Sequence, residues 1–414
     1  MTATDQVRSL AEEATTAPQS LQYYLRPGLL QLAALPPLSL YVHLPWCLKK
    51  CPYCDFNSHE VRAAEMPGQR YLDALLADLE AALPLIWNRT VHSIFIGGGT
   101  PSLFSPEAID RLLGGIRSRL RLRPDCEVTL EANPGTFEKE RFKAYRGAGV
   151  NRLSVGVQSF NDDFLKSLGR VHDRAQALAA VEEAALAFDT FNLDIMYALP
   201  GQTLTDLKLD VATALALASP HISIYQLTIE PNTYFAKFAP DLPGEDAAYD
   251  MLDLITDMTG VAGLKRYEVS AYARAGHRCF HNLNYWQFGD YLGLGAGAHS
   301  KLSFAHRVVR QVRFREPGQY MKNALAGNCL AQEAQVSVAD LPFEFMLNAL
   351  RLKDGFALQL FYERTGLGLT SIQSALDQAE RQGLIERDLG HVKPSTRGFD
   401  FLNDLQSLFL PSLP

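Results

Sequence analysis

Three cysteines, Cys47, Cys51 and Cys54, fall within the short stretch HLPWCLKKCPYCDF, directly after a strand-like run at 38–42. A Cys-x3-Cys-x2-Cys spacing lets three thiolates hold three irons of a cubane [4Fe–4S] cluster and leaves the fourth iron without a protein ligand. Such an iron is a Lewis acid open to a chelating small molecule, whereas a structural metal site is normally closed by four protein ligands. The rival is a zinc site that borrows His43 or His59 as a fourth ligand. Zinc sites usually join one cysteine pair to a second, distant ligand pair, and the sequence offers none. Cys126, Cys279 and Cys329 are scattered, so the six thiols make no disulfide framework.

The residues that must hold this loop show a regular alternation. Short β-branched or aromatic runs at 38–43, 91–96, 127–131, 152–157, 191–196 and 221–227 are separated by amphipathic stretches at 71–83, 106–120, 175–187 and 205–216. Strand–helix alternation implies parallel strands joined by right-handed crossovers. Six such units predict an α/β fold built on a partial (β/α)6-type parallel barrel, with chemistry at the strands' C-terminal ends. A doubly wound open sheet would gather its polar motifs at one switch point. Here they follow every strand: Gly97-Gly98-Gly99-Thr100-Pro101, Glu131-Ala132-Asn133-Pro134, Gln158-Ser159, Asp194 and Ala198-Leu199-Pro200-Gly201. Consecutive glycines let backbone approach a neighbour closely.

Residues 1–37 show no sustained period and read as an N-terminal extension outside the core, which spans 38–305. A connecting strand and helix segment at 306–339 carries Arg307, Arg310, Arg313 and Arg315. From 340 to 410, three helices and a short hairpin predict a smaller, mostly helical winged-helix-like domain. Between Asp340 and Pro414 there are seven Lys and Arg against ten Asp and Glu, a net of −3. A DNA-reading wing should be basic, and the whole chain carries −7, so nucleic acid is not an expected partner. At 47% hydrophobic and 21% charged residues the composition is that of an ordinary globular protein. No run approaches the ~20 apolar residues of a membrane span. The first residues lack the features of a signal or transit peptide, so a cytoplasmic location is expected.

The cysteine spacing resembles that of the radical S-adenosylmethionine (SAM) superfamily. From about Leu38 to Leu405 the chain is similar to the oxygen-independent coproporphyrinogen-III oxidases and their relatives, and within them to the heme-chaperone (HemW-type) branch. The resemblance implies that Cys47, Cys51 and Cys54 hold a [4Fe–4S] cluster. It implies that SAM is held by Tyr41, Tyr53, Gly98, Gly99, Thr100, Glu131, Gln158, Arg170 and Asp194, with Thr228 and His299 as further neighbours. An arginine can face a carboxylate bidentately. Glu131 and Asp194 can accept from an ammonium or ribose hydroxyls.

Two departures choose within the family. The oxidases carry a further cysteine two residues after the third, where this chain has Phe56, and their amino-terminal active-site segment has no visible counterpart in residues 1–37. His281-Asn282-Leu283-Asn284-Tyr285-Trp286 matches the His-Asn-x-x-Tyr-Trp pattern of the heme chaperones. It implies heme contacts at His281, Asn282, Tyr285 and Trp286, since imidazole ligates heme iron and aromatics stack on a macrocycle. His277, Cys279 and His299 are rival iron ligands. Arg307, Arg310, Arg313 and Arg315 can face heme propionates or line a solvated hairpin. The resemblance therefore implies a heme chaperone that delivers heme to hemoproteins such as respiratory-chain enzymes. The alternatives are a coproporphyrinogen-III oxidase and a radical enzyme acting on an unrelated substrate.

Overall fold

The computed structural model describes residues 19–87, 89–135 and 138–411. Residues 1–18, the first half of the expected extension, lie outside them. Six parallel strands form the centre: β1 (Leu38–Leu44), β2 (Val91–Gly98), β3 (Leu122–Ala132), β4 (Arg152–Gln158), β5 (Phe191–Tyr197) and β6 (His221–Gln226). The crossovers run through α1 (Gly68–Ile86), α2 (Pro106–Arg117), α3 (Glu138–Ala148), α4 (Arg174–Ala187) and α5 (Leu204–Ala216), and α6 (Glu245–Val261) follows β6. Local signals start these helices. Ser105 caps α2 ahead of Pro106, and capping boxes open α4 (Asp173 with Gln176) and α5 (Thr203 with Asp206).

The barrel does not close, because β6 never reaches β1. Antiparallel β8 (Ala271–Ala273) and β7 (Lys265–Arg266) continue the sheet beyond β6. On the other side β9 (Asp290–Leu294) runs parallel to β1 and leads into β10 (His299–Phe304), β11 (Arg307–Arg313) and β12 (Leu330–Gln335). The expected partial barrel is thus the centre of a twelve-stranded sheet among the described residues.

Strand residues alternate between two environments. Leu38, Leu40, Val42, Ile94, Ile96, Leu153, Val155, Leu193 and Ile195 are buried in the main apolar core. The lumen face is polar, with Ser39, Ser93, Glu127, Ser154, Asn192, His221 and Ser223 all buried. A short helix, α7 (Phe280–Trp286), enters the lumen: Asn284 donates to Ser39 Oγ (2.9 Å), and His281 Nδ1 lies 3.1 Å from Ser93 Oγ.

Two expectations are corrected. The second half of the N-terminal extension is packed rather than outside the core. Tyr24 stacks on Phe304 and its hydroxyl donates to Glu333 (2.6 Å). The arginines of β11 face neither propionates nor a solvated hairpin. Arg313 is buried against Asp78 (3.2 Å), Arg307 donates to Arg26 O, and Arg310 pairs with Glu344 (2.6 Å) and the Tyr291 hydroxyl. Segment 306–339 is therefore the outer part of the main sheet.

The C-terminal region has its own apolar core around Phe345, Phe361, Leu376 and Val392. It comprises helices Leu341–Ala349, Leu358–Thr365 and Gln373–Arg381 and a three-stranded sheet that includes the hairpin Ile385–Arg387/His391–Pro394, as expected of a winged-helix-like unit. It meets α7 directly: the Arg351 guanidinium lies 4.3 Å from the Trp286 ring centroid.

Candidate functional site

The cysteine loop is clamped to the C-terminal ends of β1 and β2 by backbone. Gly99 N–H donates to Leu44 O and Thr100 N–H to Trp46 O, each at 2.8 Å. This approach explains the glycine run. A Cβ on Gly99 would lie 2.6 Å from Trp46 O, and one on Gly98, whose φ is +117°, would strike the His43 ring. Asn57 anchors the loop's far side by donating to Ala296 O and Arg315 O.

The loop overhangs a cavity of about 360 Å³ at the strand ends. Cys47, Cys51 and Cys54 all line it. So do eight of the nine residues matched to SAM: Tyr53, Gly98, Gly99, Thr100, Glu131, Gln158, Arg170 and Asp194, with Thr228 beside them. Tyr41 lies beneath the floor, its hydroxyl donating to His43 Nδ1 (2.9 Å) while His43 Nε2 donates to Asn57 O. His299 opens β10, outside the cavity lining. Asn133, part of a strand-end motif but given no ligand role from the sequence, also lines it, as do Ser154 and Tyr225, which were not assigned to the site. Their signal was the polar residue at every second strand position.

Arg170 organises one wall. Its guanidinium donates to Asn133 Oδ1 (2.6 Å), to Gly156 O (2.7 Å) and to Cys51 Sγ (3.6 Å), while its Nε is buried without a partner. Glu131, also in the lining, accepts from Gly98 N–H (3.1 Å). Burial, with the neighbouring Asp194 adding to it, pushes its carboxyl up to about 8. Burial also raises Asp194 above the usual carboxylate range against the pull of hydrogen bonds from Ser154 and Asn192. The thiols of Cys47 and Cys54 are raised by burial.

The donor set suits a cluster with a chelated cationic ligand. Three half-buried thiols face a cavity that Glu131 and Asp194 help to line, beside an arginine with an unspent nitrogen. Among the described residues no three His, Cys, Asp or Glu side chains are grouped to hold a single metal ion. The histidines offered to zinc are engaged elsewhere, His43 as above and His59 with Asn57 Oδ1. Phe56, 62% exposed, stands at the mouth of the cavity.

The His-Asn-x-x-Tyr-Trp segment is elsewhere, on α7. Glu127 caps this helix, accepting from the N–H groups of Phe280 (3.2 Å) and His281 (3.0 Å). His281 is 3% exposed and stacks on Phe95, and burial holds its imidazole down at about 3. Its ring has no free face at the surface in this conformation. Asn282, Tyr285 and Trp286 are partly exposed. Of the rival ligands, Cys279 is buried against Glu127 and His277 bonds Thr190, so they do not converge with His281 on one open face.

A half-open parallel barrel with three cysteines at its mouth is the architecture that the radical SAM superfamily model matches over residues 41–213, and the HemN C-terminal domain model matches 336–401. The heme chaperone HemW of Haemophilus influenzae is 48% identical over 382 residues, covering 91% of this chain and 98% of that protein. HemW of Escherichia coli is 46% identical, covering 92% and 100%. The coproporphyrinogen III oxidase HemN of Escherichia coli superposes with a TM-score of 0.80 over 99% of both chains at 22% identity, a likeness of fold. The chain belongs to the HemW branch of the radical SAM, HemN-like family.

Proposed function

We propose that this protein is a heme chaperone that binds a [4Fe–4S] cluster, SAM and heme and passes heme to recipient hemoproteins, respiratory-chain enzymes among them. The observation that carries the cofactor part is one cavity lined by Cys47, Cys51, Cys54, Glu131, Arg170 and Asp194. The three thiols would hold the cluster. Arg170 would meet a carboxylate, and Glu131 and Asp194 would accept from an ammonium or ribose hydroxyls. When bound, cluster and SAM supply one-electron reductive chemistry. The residues themselves bind, orient and shield it from bulk water.

For the cargo, the reading rests on the relatives' name and on α7. Asn282, Tyr285 and Trp286 are the reachable members of the heme set, and ligation of iron by His281 requires α7 to withdraw from the lumen. Among the described residues no helix is long and apolar enough to cross a membrane, so respiratory recipients would be met at the membrane surface. The second reading, porphyrinogen decarboxylation, is disfavoured by Phe56 at the cavity mouth where the oxidases have a cysteine.

The deciding experiment offers anaerobically reconstituted protein both heme and coproporphyrinogen III in the presence of SAM. Stoichiometric heme retention without vinyl product supports the chaperone. Formation of protoporphyrinogen overturns it.

A further inference from the structure

Asp194 lines the cavity, and both of its oxygens accept from protein. Ser154 Oγ–H donates to Oδ2 (2.9 Å) and Asn192 Nδ2 donates to Oδ1 (2.8 Å). The same Asn192 nitrogen donates to Ser154 Oγ (2.7 Å). An ionised carboxylate only accepts, so the amide nitrogen must face Asp194 and the amide oxygen must face away. That oxygen lies 2.6 Å from His221 Nδ1 and also accepts from Ser223 Oγ (3.0 Å). His221 therefore carries its proton on Nδ1, and its Nε2 accepts from the Tyr267 hydroxyl (2.9 Å). The Tyr267 oxygen in turn accepts from Cys279 N–H (3.3 Å). Every donor direction in the chain Tyr267–His221–Asn192–Asp194 is thereby fixed.

Strand register builds this row. Ser154, Asn192 and His221 are directly paired across β4, β5 and β6, and Gly156, Asp194 and Ser223 make the next rung toward the cavity. Asn192, His221 and Ser223 are fully buried and touch no part of the cavity.

We propose that His221 is a positioning residue for the ligand site, acting through Asn192 to fix Asp194 as an ionised, correctly turned acceptor. This rests on the reading that Asp194 binds SAM. Without the Nδ1 donor, Asn192 loses its reason to present nitrogen to Asp194. Its amide can then flip and set an oxygen against the carboxylate, which favours the protonated form. The other groups facing Asp194 are Glu131 from β3, Arg152 from β4, Arg170 from the loop beyond β4 and Tyr225 from β6. None of them replaces the lost donor to the Asn192 oxygen.

The test uses SAM binding to the reconstituted full chain, measured by equilibrium dialysis from pH 6 to 9. An asparagine side chain can place its amide nitrogen where Nδ1 sits, whereas a glutamine reaches toward the Nε2 position. His221→Gln is expected to weaken SAM about tenfold and move the acid limb of binding to higher pH, while His221→Asn stays within about threefold of wild type. Asp194→Asn is the control for the underlying reading and is expected to lose more than tenfold. If Asp194→Asn binds as wild type, the assignment of Asp194 to SAM fails. If Asp194→Asn is impaired but His221→Gln is not, or both His221 variants are equally impaired, the positioning role fails. Should His221→Gln not fold, Asn192→Leu removes the link between His221 and Asp194 itself. Unchanged SAM affinity and an unshifted acid limb in that variant also overturn the proposal.

Discussion

Arg170 reaches the sulfur of Cys51 at 3.6 Å while its other nitrogen is locked between Asn133 Oδ1 and Gly156 O. A fixed cation beside one sulfur and a cavity wall couples the cysteine loop to the rest of the cavity. Arg170→Lys keeps the charge but not the fork that serves both neighbours. Its expected effect is a roughly tenfold loss of SAM affinity with iron content unchanged. Arg170→Met removes the charge as well and should make the cluster harder to reduce. Anaerobic dialysis and spectroelectrochemistry read the two effects separately. Equal behaviour of Lys and Met would show that geometry alone matters.

At the proposed cluster site, Cys51→Ser would replace one of three sulfur ligands with an oxygen that holds iron weakly. Iron and sulfide after reconstitution should fall close to background and the broad visible absorbance of the cluster should vanish. The far-ultraviolet dichroism should stay within about 10% of wild type, because the loop is held by backbone contacts at Gly99 and Thr100. Full iron loading in that variant would remove the basis of the cofactor assignment.

Those two predictions stand on features the sequence displays openly. Cysteine spacing is local, and the strands announce themselves by alternation, so the loop and the six parallel strands are found where expected, and eight of the nine residues matched to SAM line one cavity. What the sequence hides is the identity of the surface each polar residue meets. Strand alternation puts Arg310 on one side of β11 and Arg307 and Arg313 on the other. Whether that side meets water or Asp78, 235 positions away in the chain, is set by tertiary packing. Likewise α7 reads as a short aromatic turn. Only Glu127 and Ser93, 154 and 188 positions from His281, decide that its histidine points into the lumen. The buried row Ser154, Asn192, His221 was present as polar residues at alternate positions of three strands. Its meaning needs the register that sets them side by side.

Glu131 gives a pH prediction. Its carboxyl, raised to about 8 by burial and then by Asp194, holds a proton in the folded protein that the unfolded chain releases near 4.5. Protons are bound more tightly in the native state, so its contribution to stability falls as pH rises from about 4.5 to 8 and then levels off. Glu131 is only half-buried, so a loss on the order of 2 kcal/mol is expected, short of what full burial would give. Glu131→Gln should abolish that slope in the ligand-free protein, and its thermal midpoint should exceed wild type most clearly at pH 8. Midpoints that run parallel for the two proteins from pH 5 to 8 would contradict the buried-proton account.

The stacking of Arg351 on Trp286 joins the C-terminal domain to α7, and the same guanidinium lies 3.8 Å from Glu268. If His281 must leave the lumen to meet heme iron, this contact is one of the restraints holding it there. Arg351→Ala removes a cation–π contact and a partly exposed ion pair, together worth about 1–2 kcal/mol. Heme uptake, followed by stopped-flow absorbance in the Soret region, should accelerate about three- to tenfold if withdrawal of α7 limits the rate. His281→Ala should abolish the spectral signature of imidazole ligation and also cost roughly 2–3 kcal/mol of stability, since it empties a buried, hydrogen-bonded position. Tyr285→Ala and Trp286→Ala should weaken heme without changing its ligation spectrum. Uptake unchanged in Arg351→Ala, together with an unaltered spectrum in His281→Ala, would place the iron contact away from α7 altogether.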